Sequence, residues 1–293
     1  MSIKRTRGEK IFTVFNTAFM IAMAFVTLYP LWHVLVASFS VPTRVMGHRG
    51  LMFWPLGFST EAYVQVFKHP LLLRSYFNTI MYVLVGTGIN MVMTFHCAYV
   101  LSRRNLYFKK HIMIMITITM FISGGLIPNY LLIVDLGMLN TPWAILLPGA
   151  IGTYNMIMMR TYFQGIPYEL EESARIDGAT DMRILYQIIL PVSTPIIAVI
   201  ALYYGVSHWN SWFNAMIYFT DRNLYPIQLI LREILIQGSM DALEDSAITT
   251  TWSAVEETLK YAIIIVATVP ILCVYPFLQK YFDKGVLVGA LKG

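Results

Sequence analysis

Six long stretches of this chain carry no Asp, Glu, Lys or Arg. They run 11–43, 75–102, 111–134, 136–159, 184–220 and 261–279. A helix that crosses a bilayer needs about 20 mostly apolar residues, and all six reach or approach that length. Backbone polar groups cannot stay unpaired in hydrocarbon, so each stretch is expected to be helical. Period-2 alternation, the mark of a membrane β-barrel, is absent. The expectation is an all-α, polytopic membrane protein with six transmembrane helices.

Composition agrees. Only 13% of residues are charged and 57% are hydrophobic, whereas soluble domains carry about 25% charged residues. Too little polar surface exists to cover a soluble fold.

Lys and Arg set the orientation. With the N-terminus in the cytoplasm, fourteen of the 21 fall on inner segments and seven on outer ones, the sense of the positive-inside rule. The net charge of +5 therefore reads as scattered membrane flanks, not as a nucleic-acid patch. The first apolar run is longer than the roughly 7–15 residues of a signal-peptide core, so it reads as a retained anchor. Both termini are expected in the cytoplasm.

The chain reads as a single domain over 1–293, with a cytoplasmic loop at 165–187 and outer segments at 42–74 and 221–260. The stretch "DLGMLNTPW", Asp135 to Trp143, is expected to be a tight hairpin with Gly137, Asn140 and Pro142 as turn residues. Two cysteines, Cys97 and Cys273, sit in apolar runs without a CxxC pattern, as unpaired buried thiols do. The histidines are scattered, and no metal site is expected.

One segment breaks the apolar pattern. "PYELEESARIDGATDMRILYQIILP", Pro167 to Pro191, holds Glu169, Glu171, Glu172, Arg175, Asp177, Asp181 and Arg183. In lipid these seven would cost on the order of 20 kcal/mol, so the segment belongs outside the bilayer. Pro167 suits a first helical turn. The three glutamates suit the positive end of a helix dipole. Gly178 can end the helix in the left-handed conformation, and Thr180 or Asp181 can cap the next one. Pro191 and Pro195 fall where they would bend the following span. The residues alone admit two readings: an ordinary solvated loop, or a docking knob for a cytoplasmic partner.

Glu172-Ser173-Ala174, three residues, Gly178, nine residues, then Ile188-Ile189-Leu190-Pro191 resembles the "EAA…G…I-LP" loop of ABC importer permeases. Ser173 replaces the usual alanine, small for small. "SGGLIPNYLLIVDLGMLNTPWAILLPG" (Ser123–Gly149), "WNSWFNAMIY" (Trp209–Tyr218) and the C-terminal "KYFDKGVLVGALKG" resemble the carbohydrate branch. The chain is similar to the maltose importer's smaller permease subunit and more similar to permeases for acidic oligosaccharides such as alginate fragments. The resemblance implies the type I ABC importer permease fold. It also implies a second permease subunit and two ATPase subunits that bind ATP and Mg. An external solute-binding protein would deliver the oligosaccharide. It assigns coupling to the ATPase to Glu172, Ser173, Ala174, Asp177, Gly178, Ala179, Leu190 and Pro191. Glu172 and Asp177 would offer charge, Ala174 close contact and Gly178 the break. The tail 289–293 would also touch the ATPase.

Tyr203, Tyr204, His208, Trp209, Asn210, Trp212 and Asn214 are candidates to line the pathway, since sugars bind aromatic faces flanked by amides. Interfacial anchoring and helix packing are the competing reading. No G-x-x-x-x-G-K-[ST] occurs, so the chain has no P-loop of its own. The zinc-protease and hydrolase signatures are also missing, which argues against a membrane-embedded enzyme. An ion-coupled secondary sugar transporter is the main alternative. Such carriers usually place Asp or Glu inside their spans, and these spans hold none beyond boundary residues such as Asp135.

Overall fold

The computed structural model describes residues 6–103, 106–244, 258–273 and 276. Among them the regular elements are helical. The chain divides into two compact units, Met1–Pro70 with Leu231–Val269, and Leu71–Ile230 with Pro270–Gly293.

The first unit begins with α1, Arg7–Ser38. A capping box starts it: Glu9 N donates to Thr6 Oγ1 at 3.3 Å, and Thr6 N donates to Glu9 Oε2 at 2.8 Å, satisfying two end donors reciprocally. Its 31-residue apolar run, Gly8–Ser38, rises about 45 Å at 1.5 Å per residue, more than a bilayer core. Phe12, Phe15, Ile21 and Leu28 stand exposed along it, as an apolar surface meant for lipid or another chain does. Two short helices follow, α2 (Pro42–Gly47) and α3 (Glu61–Lys68). Val36, Ala37, Val45 and Met52 form a small core with Leu56 and Tyr261. Trp32 Nε1 donates to Phe53 O at 3.0 Å and Met52 N to Tyr29 OH at 2.8 Å. The segment after α1 is thus folded back and pinned.

In the second unit α4, Leu72–Ser102, is the central rod. After it come α5 (Lys109–Ile118), α6 (Leu126–Asp135), α7 (Trp143–Leu146) and α8 (Thr153–Gln164). Next are α9 (Glu169–Ile176), α10 (Asp181–Ile184), a π-helical turn at Leu185–Ile189, and α11 (Leu190–Val192). Then follow α12 (Thr194–Trp209), α13 (Phe213–Tyr218) and α14 (Ile227–Glu244), the last of which runs on past Ile230. A further apolar helix spans Thr258–Cys273.

The six charge-free stretches map onto these helices, but not as six straight rods. Among the described residues, Gly8–Ser38 and Leu72–Ser102 are each long and apolar enough to cross a membrane. The stretch 111–134 breaks after α5, where Gly124 and Gly125 intervene. The stretch 136–159 breaks at Pro148–Gly152, between α7 and α8. The stretch 184–220 bends by 83° between Asp181–Val192 and Thr194–Trp209. Pro195 cannot donate to the Pro191 carbonyl, and Thr194 Oγ1 takes that carbonyl at 2.8 Å instead. Prolines and a π-turn are recognised causes of such bends.

Two cores hold the second unit. One gathers Phe95, Tyr99, Met156, Met159, Phe163 and Ile200 toward the Ser102 end of α4. The other gathers Tyr82, Leu146, Ala215 and Phe219 nearer its Leu72 end. The hairpin at Asp135–Trp143 forms as expected, with Gly137 at φ 65° and Asn140 at φ 55°. The Asn140 side chain then clamps the 220–221 turn: Oδ1 accepts from Thr220 N at 2.6 Å and Asp221 N at 3.1 Å.

Candidate functional site

The charged segment folds as an elbow of two short helices. Pro167 lies just ahead of α9 rather than in its first turn, since Tyr168 is the N-cap. At the other end Gly178 has φ +79°. Ala179 N donates to Ala174 O at 2.9 Å, and Gly178 N to Arg175 O at 3.0 Å. This pair of bonds is a Schellman ending, which needs a left-handed residue at the position Gly178 occupies. Thr180 then caps α10, accepting from Arg183 N at 3.4 Å. Arg175 Nη2 bonds Asp181 Oδ1 at 2.5 Å across the corner. The elbow is therefore a defined shape.

α9 has two faces. Glu171 and Ala174, three apart, face the bundle and are 2% and 8% exposed. Glu171 forms an ion pair with Arg103 at the end of α4. Arg103 itself lies over the Tyr99 ring, 4.5 Å from its centroid, and donates from Nε to Ser102 Oγ at 2.9 Å. Ala174 packs into the core around Tyr99 and Phe163. The small side chain of Ala174 lets α9 lie flat on this chain's own bundle.

The opposite face is open. Glu172, Ser173, Asp177 and Gly178 are exposed. Leu170 and Ile176 are exposed beside them, Ile176 at 82%. These two apolar residues were not among the sequence candidates, although both sit in a solvated helix, where an exposed large apolar side chain is a signal. Ala179 and Leu190 are half-buried against the bundle core, and Pro191 is exposed at the approach to the bend.

The aromatic–amide candidates on α12 split as well. Tyr204 OH bonds Thr94 Oγ1 at 2.7 Å and accepts from Gly152 N at 2.8 Å. His208 Nε2 bonds Asn90 Oδ1 at 2.6 Å, and Asn90 Nδ2 donates to Gly149 O at 2.6 Å. Both side chains tie α12 and α4 to the break before α8. Trp209 is buried, its ring 6.4 Å from that of Tyr76. Tyr203, Asn210 and Asn214 are exposed, and Trp212 is half-buried against Phe213. Among the described residues, no group of three or more His, Cys, Asp or Glu side chains could hold a metal. The tail 289–293 and residues 245–257 of the outer segment 221–260 lie outside the described residues.

The family model for the "binding-protein-dependent transport system inner membrane component" matches residues 4–288. The chain belongs to this family. The permease is 38% identical to the polygalacturonan/rhamnogalacturonan transport system permease protein YtcP of Bacillus subtilis, covering 97% of this chain and 99% of that one. It is also 38% identical to protein LplC of the same organism, over 100% and 98% of the two chains. Among solved structures, it is similar to a chain from a bacterial ABC transporter involved in import of the acidic polysaccharide alginate. That match has a TM-score of 0.83 and 31% identity, and covers 96% of this permease and 100% of that chain. The permease therefore has the ABC importer permease fold, and its family is one of transport permeases, which agrees with a non-catalytic role.

Proposed function

We propose that this permease forms half of the pathway of an ATP-driven importer for acidic oligosaccharides, and that α9 is where the motor attaches. A second permease subunit completes the pathway. Two ATPase subunits, binding ATP and Mg, receive α9 in a groove, and an external solute-binding protein delivers the sugar. Both termini lie on the ATPase side of the membrane.

The observation that carries this reading is the two-faced α9. One face is fastened to α4 by the Arg103–Glu171 pair and Ala174. The other presents Glu172, Ile176 and Asp177 outward. A lever must be rigid toward the part it moves and open toward the part that drives it. Glu171 is also the only buried carboxylate among the described residues, and it is paired with an arginine at the end of a helix. That is not the arrangement of a proton- or sodium-coupled carrier. The acidic substrate class is supported by the polygalacturonan/rhamnogalacturonan and alginate systems to which the chain is similar.

The test is uptake into vesicles holding the assembled transporter, with ATP enclosed and a protonophore present. Labelled oligogalacturonate delivered by the solute-binding protein should accumulate, and a neutral glucan of equal length should not. Uptake abolished by the protonophore while ATP is maintained would overturn the ATP-driven reading. Equal uptake of the neutral glucan would overturn the substrate class.

A further inference from the structure

Three cations gather at the Ser102 end of α4. Lys109 Nζ donates to Ser102 O at 3.1 Å and to Arg103 O at 2.8 Å. Arg160 Nε donates to Leu101 O at 2.9 Å. Both thus cap the last carbonyls of α4, the negative end of its dipole. Lys110 is exposed next to them. Among the described residues, the carboxylates of Glu171 and Asp181 pair with Arg103 and Arg175, and none pairs with Lys109, Lys110 or Arg160. Burial, then the charges of Arg160 and Arg103, push the Lys109 ammonium down from its usual range. Cations answered only by backbone carbonyls keep a net positive charge, which attracts an anion.

The side chains of Lys109, Lys110 and Arg160 also line, mainly through their apolar stems, a groove of about 690 Å³ that runs along α5. Its wall is apolar, with Met113, Ile114 and Phe121 along its length. The ten residues of α5 rise about 15 Å, half of a bilayer core of about 30 Å. The groove therefore offers apolar surface over about the depth of one leaflet, with the three basic side chains at its border.

We propose that this groove holds an anionic phospholipid. The phosphate sits among Lys109, Lys110 and Arg160, and an acyl chain lies along α5. A uronate sugar has the charge for the basic end but not the apolar tail for the wall. A protein helix would fill the wall but leave the cations unanswered. Basic pockets between membrane helices are established headgroup sites in general.

The test uses the assembled transporter in nanodiscs of phosphatidylcholine alone or mixed with phosphatidylglycerol. Lipid retained through detergent exchange is read by native mass spectrometry. Wild type should retain phosphatidylglycerol in preference to phosphatidylcholine. Lys110→Gln, which leaves the carbonyl-capping cations in place, should weaken that retention about five-fold. Lys10→Gln, a cation at the start of α1, should leave it unchanged. Equal retention of both lipids, or full retention in Lys110→Gln, overturns the proposal. So does efficient crosslinking of Ile114→Cys to another protein chain, which would show that a subunit covers the groove.

Discussion

Arg103, at the end of α4, and Glu171, on the inner face of α9, form an ion pair in which the carboxylate is almost fully buried. The second carboxylate oxygen, Oε2, has no hydrogen-bond partner. The pair is thus a mechanical joint more than an optimised source of stability, since an incompletely satisfied buried ion pair gains little over apolar packing.

Removing one partner is a different matter from removing both. Glu171→Ala strands the Arg103 guanidinium, at a cost of about 3 kcal/mol, the lower end for such deletions because Arg103 keeps some solvent contact. The double replacement Arg103→Met with Glu171→Met should restore stability to within about 1 kcal/mol. Thermal melts of the purified assembly check this. A Glu171→Ala melt equal to wild type would mean that the pair carries no structural weight.

Gly178 separates backbone from surface effects. Its φ of +79° disfavours a side chain, yet an added Cβ there would meet nothing within 4 Å. Gly178→Ala should therefore cost about 1–2 kcal/mol through conformation alone, and Gly178→Asn less, because Asn tolerates this region. Gly178→Asp shares that tolerance but adds a charge beside Asp177. It should abolish substrate-stimulated ATP hydrolysis while the chain still inserts. Equal coupling in the Asn and Asp variants would argue against an electrostatic contact at this corner.

Gly86 has no such freedom. A Cβ there would lie 2.5 Å from His208 Nε2 and 2.9 Å from Leu146 Cδ2. Gly86→Ala must push His208 off Asn90, at about 1–3 kcal/mol of overpacking. His208→Ala in the same chain should recover most of that loss in a melt. Two additive penalties would show that the clash lies elsewhere.

Much of the elbow was legible from residue types that act locally. Gly178 ended a helix, Thr180 or Asp181 was to cap the next and Thr180 does so, and Pro191 with Pro195 marked the bend. The Thr6–Glu9 capping box, which the structure reveals, follows the same local rule of Thr-x-x-Glu ahead of an apolar run. What was not legible is which glutamate turns inward. Glu169, Glu171 and Glu172 are interchangeable as dipole partners, and only contact with Arg103 distinguishes Glu171. The spacing to Ala174 held a hint, because residues three apart share a face. Tyr204 and His208 carried a similar hint, four apart on α12 and matching Gly86, Asn90 and Thr94 at the same interval on α4. Residue type alone left Tyr204 and His208 open between pathway lining and helix packing, and that register bears on the packing reading.

Ile176 should behave as a docking contact with little role in this chain's own fold. Ile176→Ser should shift the melt of the permease pair by less than about 0.5 kcal/mol. If the side chain is buried in an ATPase groove, its loss should weaken ATPase retention by about ten-fold, read by co-purification at graded ATPase concentrations. Unchanged retention would remove Ile176 from the contact.

The most direct measurement is site-specific disulfide or bismaleimide crosslinking from α9 in the assembled transporter, with single cysteines at Glu172, Ala174 and Ile176. The account predicts adducts with the ATPase from Glu172→Cys and Ile176→Cys, and none from Ala174→Cys. Adducts from Ala174→Cys alone, or labelling of Ile176→Cys only by reagents outside the cell, would contradict it.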